Sequence, residues 1–167
     1  WREYLPQLWR VLKDDHTYRR FILARQFYDI SSLATPFYMT YALTQLGLPV
    51  QVAGRYTSIS VVGSILAALL MGWLNERYGS KRVILLSIGL ATSVPVLALL
   101  IPWLLPPSGA ALAWGYGLIF FAMSATMSSM MPGWMNFCLE HAPELERPKY
   151  VGLTNTLNGI ATLVSTL

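Results

Sequence analysis

Cysteine, histidine and charged side chains are all scarce in this sequence. Its 167 residues include one cysteine, Cys138, and two histidines, His16 and His141. A single cysteine cannot form an intrachain disulfide, and these three residues do not have the spacing of a metal-ligand cluster. Only 12% of the residues are charged, whereas 54% are hydrophobic. This composition excludes an ordinary soluble globular domain, in which about 25% of the residues are charged.

The sequence also lacks the motifs that many enzymes need. It contains neither an HExxH zinc motif nor a glycine-rich phosphate loop, and residues 78–81 do not form a Walker motif. No serine, histidine and acidic residue are spaced as in a nucleophilic site. We therefore predict no enzyme activity, no cofactor and no metal. The net charge of +4 does not indicate a nucleic-acid partner, because the cations lie at the ends of apolar runs.

Long apolar segments make up most of the remaining sequence. Residues 56–74 and 83–105 contain no charged side chain, and each run is long enough to cross a bilayer as a helix. Helices are expected because a backbone inside lipid must satisfy its own hydrogen bonds. We predict an all-α, polytopic transmembrane helix bundle. Its spans are expected at about 18–46, 52–74, 83–103, 110–139 and 150–167, the last of them truncated.

A short polar segment, Gly72–Val83, separates the second and third predicted spans, and we call it the hinge. Its glycine at position 79 suits a sharp turn, and its three cations, Arg77, Lys81 and Arg82, are typical of a cytoplasmic loop. The hinge resembles the signature loop of the major facilitator superfamily, roughly G-x-L-x-D-R-x-G-R-K/R. Glu76 replaces the usual Asp, and Ser80 stands where a basic residue is common. The matching residues are Gly72, Leu74, Glu76, Arg77, Gly79 and Lys81.

This resemblance implies part of a six-helix half of that superfamily's fold. Residues 8–15, leading into 18–21, are similar to the central cytoplasmic linker and the seventh helix, and residues 146–152 are similar to the loop that enters the fifth helix of a half. The chain is therefore placed as helices seven to eleven of a twelve-helix transporter, with the N-terminal half as the alternative. It ends inside an apolar stretch, so we expect missing helices of the same polypeptide to be its partners.

The implied function is secondary active transport of a small solute by alternating access, with coupling to protons as one option. Such a protein would be a permease or an efflux transporter. The expected partners are the solute and the lipid bilayer, without nucleic acid. Two alternatives stay open: a membrane-embedded enzyme, in which His16 or His141 acts with acidic residues, and a non-transporting membrane scaffold.

The basic residues predict the orientation in the membrane. Of twelve Lys and Arg residues, six lie in residues 2–25, three in the hinge and two in residues 147–149, and only Arg55 lies near a loop on the other side. The positive-inside rule therefore places residues 1–17, the hinge and residues 140–149 in the cytoplasm. We predict that residues 1–17 form a cytoplasmic amphipathic linker and that the protein is a multi-pass component of the cell's inner (plasma) membrane.

Asp29 is the clearest candidate for a functional charge. It lies about 12 Å along the predicted helix from Phe21, at about 1.5 Å per residue, and an ionisable group at that depth is costly unless it is paired or hydrated. Arg25 lies one helical turn earlier on the same face. Two interpretations stay open: a substrate or proton pathway, or a structural pair in which the two charges neutralise each other.

Tyr38 and Asn136 are the other candidates for the pathway. We expect Pro36 to bend the first span and Pro132-Gly133 to break the fourth, and interrupted helices expose backbone polar groups where they line a cavity. Interhelical packing is the alternative role of both side chains. The gating candidates all lie in the hinge; they are Gly72, Glu76, Arg77, Gly79 and Lys81.

The second span also contains a pattern of small residues. Residues 60, 64, 68 and 72 are Ser, Ser, Ala and Gly, a repeat of four residues. Small side chains allow two membrane helices to approach closely. The pattern predicts a packing ridge along this helix.

Overall fold

The computed structural model describes residues 11–106 and 109–166. Two short 3-10 turns, Ser32–Ala34 and Glu144–Glu146, separate longer helices. The α-helices are α1 (His16–Ser31), α2 (Thr35–Thr44), α3 (Val52–Tyr78), α4 (Ser80–Leu104), α5 (Ala110–His141) and α6 (Arg147–Thr166). No strand occurs in these two ranges, and the predicted all-α fold is confirmed. Most of the predicted linker, residues 1–10, lies outside the described residues.

Three of these helices are long and apolar enough to cross a bilayer. They are α3 with 27 residues, α4 with 25 and α5 with 32. At about 1.5 Å per residue, α3 is about 40 Å long, which exceeds the roughly 30 Å hydrocarbon thickness of a bilayer. The chain divides into two compact units: one is Ala34–Trp134, and the other combines the residues before Ala34 with those after Trp134.

The region of the predicted first span contains two helices instead of one bent helix. Helix α1 ends at Ser31, and α2 begins at Thr35 after the 3-10 turn. The Ser32 hydroxyl donates a hydrogen bond of 2.7 Å to the Asp29 carbonyl, an acceptor that the end of α1 leaves open. Pro36 lies in the first turn of α2, where its missing amide hydrogen costs no hydrogen bond. The interruption therefore precedes the proline.

Pro132 does not break helix α5, and this part of the prediction was wrong. The helix continues from Ala110 to His141 with Pro132 inside it. The proline itself is exposed, whereas the neighbouring Gly133 is buried. A Cβ atom at Gly133 would lie 3.4 Å from side-chain atoms of both Val83 and Ile84 on α4. We attribute the continuity to this packing, because the proline removes only one internal hydrogen bond.

An aromatic cluster forms the core of the Ala34–Trp134 unit. Tyr56 on α3 and Phe120 on α5 stack with ring centroids 4.6 Å apart, and Tyr116 is fully buried beside them. The Tyr56 hydroxyl donates to the Ala113 carbonyl at 2.9 Å, and the Tyr116 hydroxyl donates to the Tyr38 carbonyl at 3.2 Å. Both phenols thus use backbone carbonyls as acceptors, so the rings can be buried without losing a hydrogen bond.

Helix α3 buries a different face from the predicted ridge. Ala68 and Gly72 are exposed, although the Ser60 hydroxyl reaches the Phe120 carbonyl at 3.4 Å. A strict repeat of four residues drifts by about 40° per step around a helix of 3.6 residues per turn, so such a ridge leaves the contact face. The buried residues of α3 are Val52, Tyr56, Gly63, Ala67 and Met71.

The close packing of α3 against α5 at Gly63 can be tested by substitution. A Cβ atom there would lie 2.6 Å from the Ser124 hydroxyl and 2.9 Å from the Phe121 carbonyl, so Gly63→Ala should force α3 and α5 apart and destabilise the protein by about 1–3 kcal/mol. Thermal unfolding in detergent measures the effect. Gly54→Ala on the same helix is the control, because a Cβ there meets nothing within 4 Å. Equal melting temperatures for the two variants would contradict the close packing.

Candidate functional site

The hinge connects α3 and α4 through a single residue, Gly79. Its backbone angles, φ 80° and ψ 161°, are essentially restricted to glycine. The Gly79 amide donates to the Asn75 carbonyl at 2.9 Å, and the Gly79 carbonyl accepts from the Arg82 amide at 3.3 Å. These two bonds end one helix and begin the next. The predicted sharp turn at Gly79 is therefore present, and its role in gating remains a prediction.

The charged side chains of the hinge are exposed and are not packed between α3 and α4. Glu76, Arg77 and Lys81 are exposed, and none of them forms a salt bridge within residues 11–106 and 109–166. Arg77 instead lies over the ring of Trp73, with 5.5 Å between its guanidinium carbon and the ring centroid. Gly72 is also exposed, and a Cβ there would meet nothing within 4 Å. The gating candidates are therefore accessible to a neighbouring element.

Asn75, also in the hinge, was not among the predicted site residues. Its side-chain oxygen is buried and has no hydrogen-bond partner within the described part of the chain. A buried amide oxygen without a donor costs about 1–3 kcal/mol. No sequence signal separated Asn75 from the variable positions of the signature loop, since burial depends on how α3 packs.

Arg25 and Asp29 form the expected pair on α1. The Arg25 Nε atom lies 3.1 Å from Asp29 Oδ2 and 3.3 Å from Oδ1, so one N–H group faces both carboxylate oxygens. The two side chains are 21% and 26% exposed. Gln26, the residue after Arg25, donates a hydrogen bond of 3.1 Å to Asn158 on α6. The pairing is compatible with both interpretations of Asp29.

The four pathway candidates are divided between the two compact units. Arg25, Asp29 and Asn136 belong to the unit that contains α1 and α6, whereas Tyr38 belongs to the Ala34–Trp134 unit. Tyr38 packs against the aromatic core, and its backbone carbonyl accepts the Tyr116 hydrogen bond, which is compatible with both the packing and the pathway interpretation. Asn136 is half-buried near the end of α5.

A polar cluster that joins α1, α5 and α6 was missed as a unit. His141 Nε2 lies 2.8 Å from Asp15 Oδ2, and the Tyr150 hydroxyl donates to the same oxygen at 3.0 Å. The Tyr18 amide donates to Asp15 Oδ1 at 2.9 Å, so Asp15 also caps the start of α1. The Tyr18 hydroxyl in turn lies 2.8 Å from both the Tyr150 carbonyl and the Thr154 hydroxyl. This network ties three helix ends together.

A cavity of about 810 Å³ adjoins this cluster. Its lining includes carboxylates, imidazoles and an ammonium group, from Asp14, Asp15, His16, His141, Glu146 and Lys149. Sequence spacing could not reveal this group, because its two sets, at positions 14–16 and 141–149, are more than 120 residues apart and meet only after the helices pack. Within the described residues, no group of three His, Cys, Asp or Glu side chains could hold a metal ion.

The electrostatics of the cluster centre on Asp15. Burial raises the pKa of its carboxyl, but hydrogen bonds from the Tyr18 amide, His141 and Tyr150 outweigh burial and hold the pKa below the ordinary value of 3.8. Asp15 is therefore ionised at neutral pH. Its carboxylate accepts from three donors, which makes it the centre of this helix junction.

Three membrane-length apolar helices, two of them joined by a cationic hinge with a glycine turn, are the features of an integral membrane protein. A family model described as "Major Facilitator Superfamily" matches residues 21–166. This match covers most of the sequence, so the chain belongs to the major facilitator superfamily, a family of membrane transporters for small-molecule solutes. Comparisons with curated proteins and with solved structures found no match.

The lowered pKa of Asp15 predicts how the stability of this junction depends on pH. The ionised carboxylate stabilises the fold above its ordinary pKa of 3.8, and this contribution is lost as pH falls through the lowered pKa. Asp15→Asn should therefore reduce stability at pH 7 by about 1–3 kcal/mol, which is a few degrees in Tm, and the loss should be smaller at pH 3, below the ordinary pKa of 3.8.

Thermal melts in detergent at the two pH values measure this difference. Asp14→Asn is the matched control, since Asp14 is the exposed neighbour on the same cavity wall. A difference between wild type and Asp15→Asn that stays constant with pH would contradict the assignment.

Proposed function

We propose that this chain is part of a secondary active transporter that moves a small solute by alternating access. The hinge is the observation that supports this most directly, because the family's signature residues surround a glycine-only turn between two membrane-length helices. In our proposal, residues 18–46 contain the first span, and the chain corresponds to helices seven to eleven of a twelve-helix protein. Further helices of the same polypeptide complete the bundle in the cell's inner (plasma) membrane.

The hinge acts as the gate in this proposal. Alternating access requires contacts that form in one state and break in the other. Exposed charges such as Glu76, Arg77 and Lys81, which lack ion-pair partners within the described residues, are available for contacts with other helices. The Gly79 turn then fixes the angle at which α3 and α4 present them.

Arg25 and Asp29 are the proposed pathway residues, together with Tyr38 and Asn136. An aspartate in a membrane span requires a partner, and Arg25 supplies one at 3.1 Å. Partial exposure of both side chains leaves room for a proton or a solute to compete for the carboxylate. Proton coupling would require Asp29 to change its charge during the cycle, and Arg25 would hold the site together while it does.

Gly79→Ala tests the role of the hinge. A Cβ at Gly79 meets nothing within 4 Å, so the substitution acts only through its glycine-specific backbone angles, at a cost of about 1–3 kcal/mol. We expect normal membrane insertion and transport slowed by roughly tenfold or more. Gly89→Ala, with similar open space on α4, is the control.

The measurement is solute uptake into vesicles that contain the full transporter, after a panel of radiolabelled sugars, amino acids, organic anions and hydrophobic cations has identified a transported solute. If Gly79→Ala and Gly89→Ala transport equally fast, the hinge is only a connector. If no solute of any class is moved, the transporter proposal itself fails.

Asp29→Asn tests the coupling role. If Asp29 carries the proton, this variant should lose uphill accumulation of the solute but retain exchange down its gradient, because only the proton step is removed. The same vesicles, with and without an imposed pH gradient, measure both activities. The structural interpretation makes a different prediction: Arg25→Gln combined with Asp29→Asn removes both charges and restores uphill transport. Such a recovery would eliminate Asp29 as the coupling residue.

A further inference from the structure

Five residues of the hinge form a basic-aromatic patch: Trp73, Arg77, Tyr78, Lys81 and Arg82. The Tyr78 ring is shared between two cations, since the guanidinium carbons of Arg77 and Arg82 lie 5.8 Å and 5.0 Å from its centroid. Arg77 also lies 5.5 Å from the centroid of Trp73. Cation–π contacts of this kind hold the guanidinium groups in place without neutralising them.

No carboxylate within residues 11–106 and 109–166 forms a salt bridge with the cations of the patch. No salt bridge involves Arg77, Lys81 or Arg82 in the described residues, and the nearest carboxylate in sequence, Glu76, forms none either. Two guanidinium groups on one ring repel each other, and an anion between them would relieve that repulsion. The patch also lies where α4 begins, and the N-terminus of a helix favours negative charge.

The aromatic members point to a membrane environment. Trp73 is 49% exposed and Tyr78 is 43% exposed, and the two rings pack edge to face with centroids 6.2 Å apart in the last two turns of the membrane-length helix α3. Exposed Trp and Tyr side chains at that position are typical of the layer of lipid headgroups. Cations beside them lie at the depth of the lipid phosphates, where anionic lipids attract basic segments.

We propose that the basic-aromatic patch binds the headgroup of an anionic phospholipid in the cytoplasmic leaflet. Arg77 and Arg82 donate hydrogen bonds to the phosphate oxygens, Lys81 adds charge, and Trp73 and Tyr78 hold the guanidinium groups at headgroup depth. A lipid is the favoured ligand, because one amphipathic molecule explains both the exposed aromatic rings and the cations that form no salt bridge in the described residues.

Native mass spectrometry of the intact transporter in detergent tests this proposal by measuring which added lipid stays bound. The two lipids are phosphatidylglycerol and phosphatidylcholine of equal chain length. Wild type should retain phosphatidylglycerol preferentially. Each basic residue near a lipid surface contributes about a fivefold gain in affinity, so Arg77→Gln combined with Arg82→Gln should weaken phosphatidylglycerol binding by about tenfold to thirtyfold. If that pair does not fold, Arg82→Gln alone should show about a fivefold loss.

The matched control is Arg19→Gln combined with Arg20→Gln, which removes the same charge from the same predicted side of the membrane. Both arginines are exposed on α1. We expect this control to bind phosphatidylglycerol like wild type. An equal loss of phosphatidylglycerol binding in both double variants would show that general surface charge attracts the lipid, and would overturn the proposed site. The absence of any lipid preference in wild type would also overturn it. Full displacement of the lipid by millimolar inorganic phosphate would overturn the lipid assignment in favour of a free-anion site.

Discussion

Backbone hydrogen bonding inside lipid is the constraint on which this structure depends. A bilayer offers no water to an open N–H or C=O group, so a spanning segment must satisfy those groups within itself. Helices α3, α4 and α5 do so over 27, 25 and 32 residues. The polar side chains follow the same rule: Ser87 donates to Ser129 at 2.8 Å, and Ser129 donates back to the Ala125 carbonyl of its own helix at 2.8 Å.

Interruptions of the helices occur only where this constraint can still be met. At the end of α1, the Ser32 hydroxyl supplies the donor that the Asp29 carbonyl needs. At the hinge, Gly79 provides both an amide and a carbonyl to the flanking turns while it reverses the chain direction. Pro132 removes one bond and leaves α5 continuous, because the adjacent Gly133 packs closely on α4. A glycine or a hydroxyl therefore makes each of these irregularities possible.

Charge in this protein is concentrated at helix ends, and three different arrangements handle it. Arg25 and Asp29 neutralise each other across one helical turn. Asp15 is surrounded by donors from three helix ends, which keep it ionised. Two of the three hinge cations, Arg77 and Arg82, lie over aromatic rings, which position the guanidinium groups without neutralising their charge. These three arrangements differ in whether a charge is paired with an opposite charge, surrounded by hydrogen-bond donors or placed over an aromatic ring.

The sequence alone determined the class of the protein. Apolar runs of bilayer length, scarce charges and the hinge residues predicted an all-α membrane bundle of the transporter superfamily, and Gly79 was placed at the turn, because these features depend on local residue types. The Arg25 and Asp29 pair was also foreseeable, since residues four apart share a helix face.

Only the tertiary structure decided which faces are buried and which distant residues meet. The buried face of α3 runs through Gly63 instead of Gly72, and α5 continues through Pro132, because packing against a neighbouring helix outweighs a four-residue repeat and one lost hydrogen bond. Asp15 and His141 are 126 residues apart and lie 2.8 Å from each other. No local pattern encodes such a contact, since it forms only when separate helices bring their ends together.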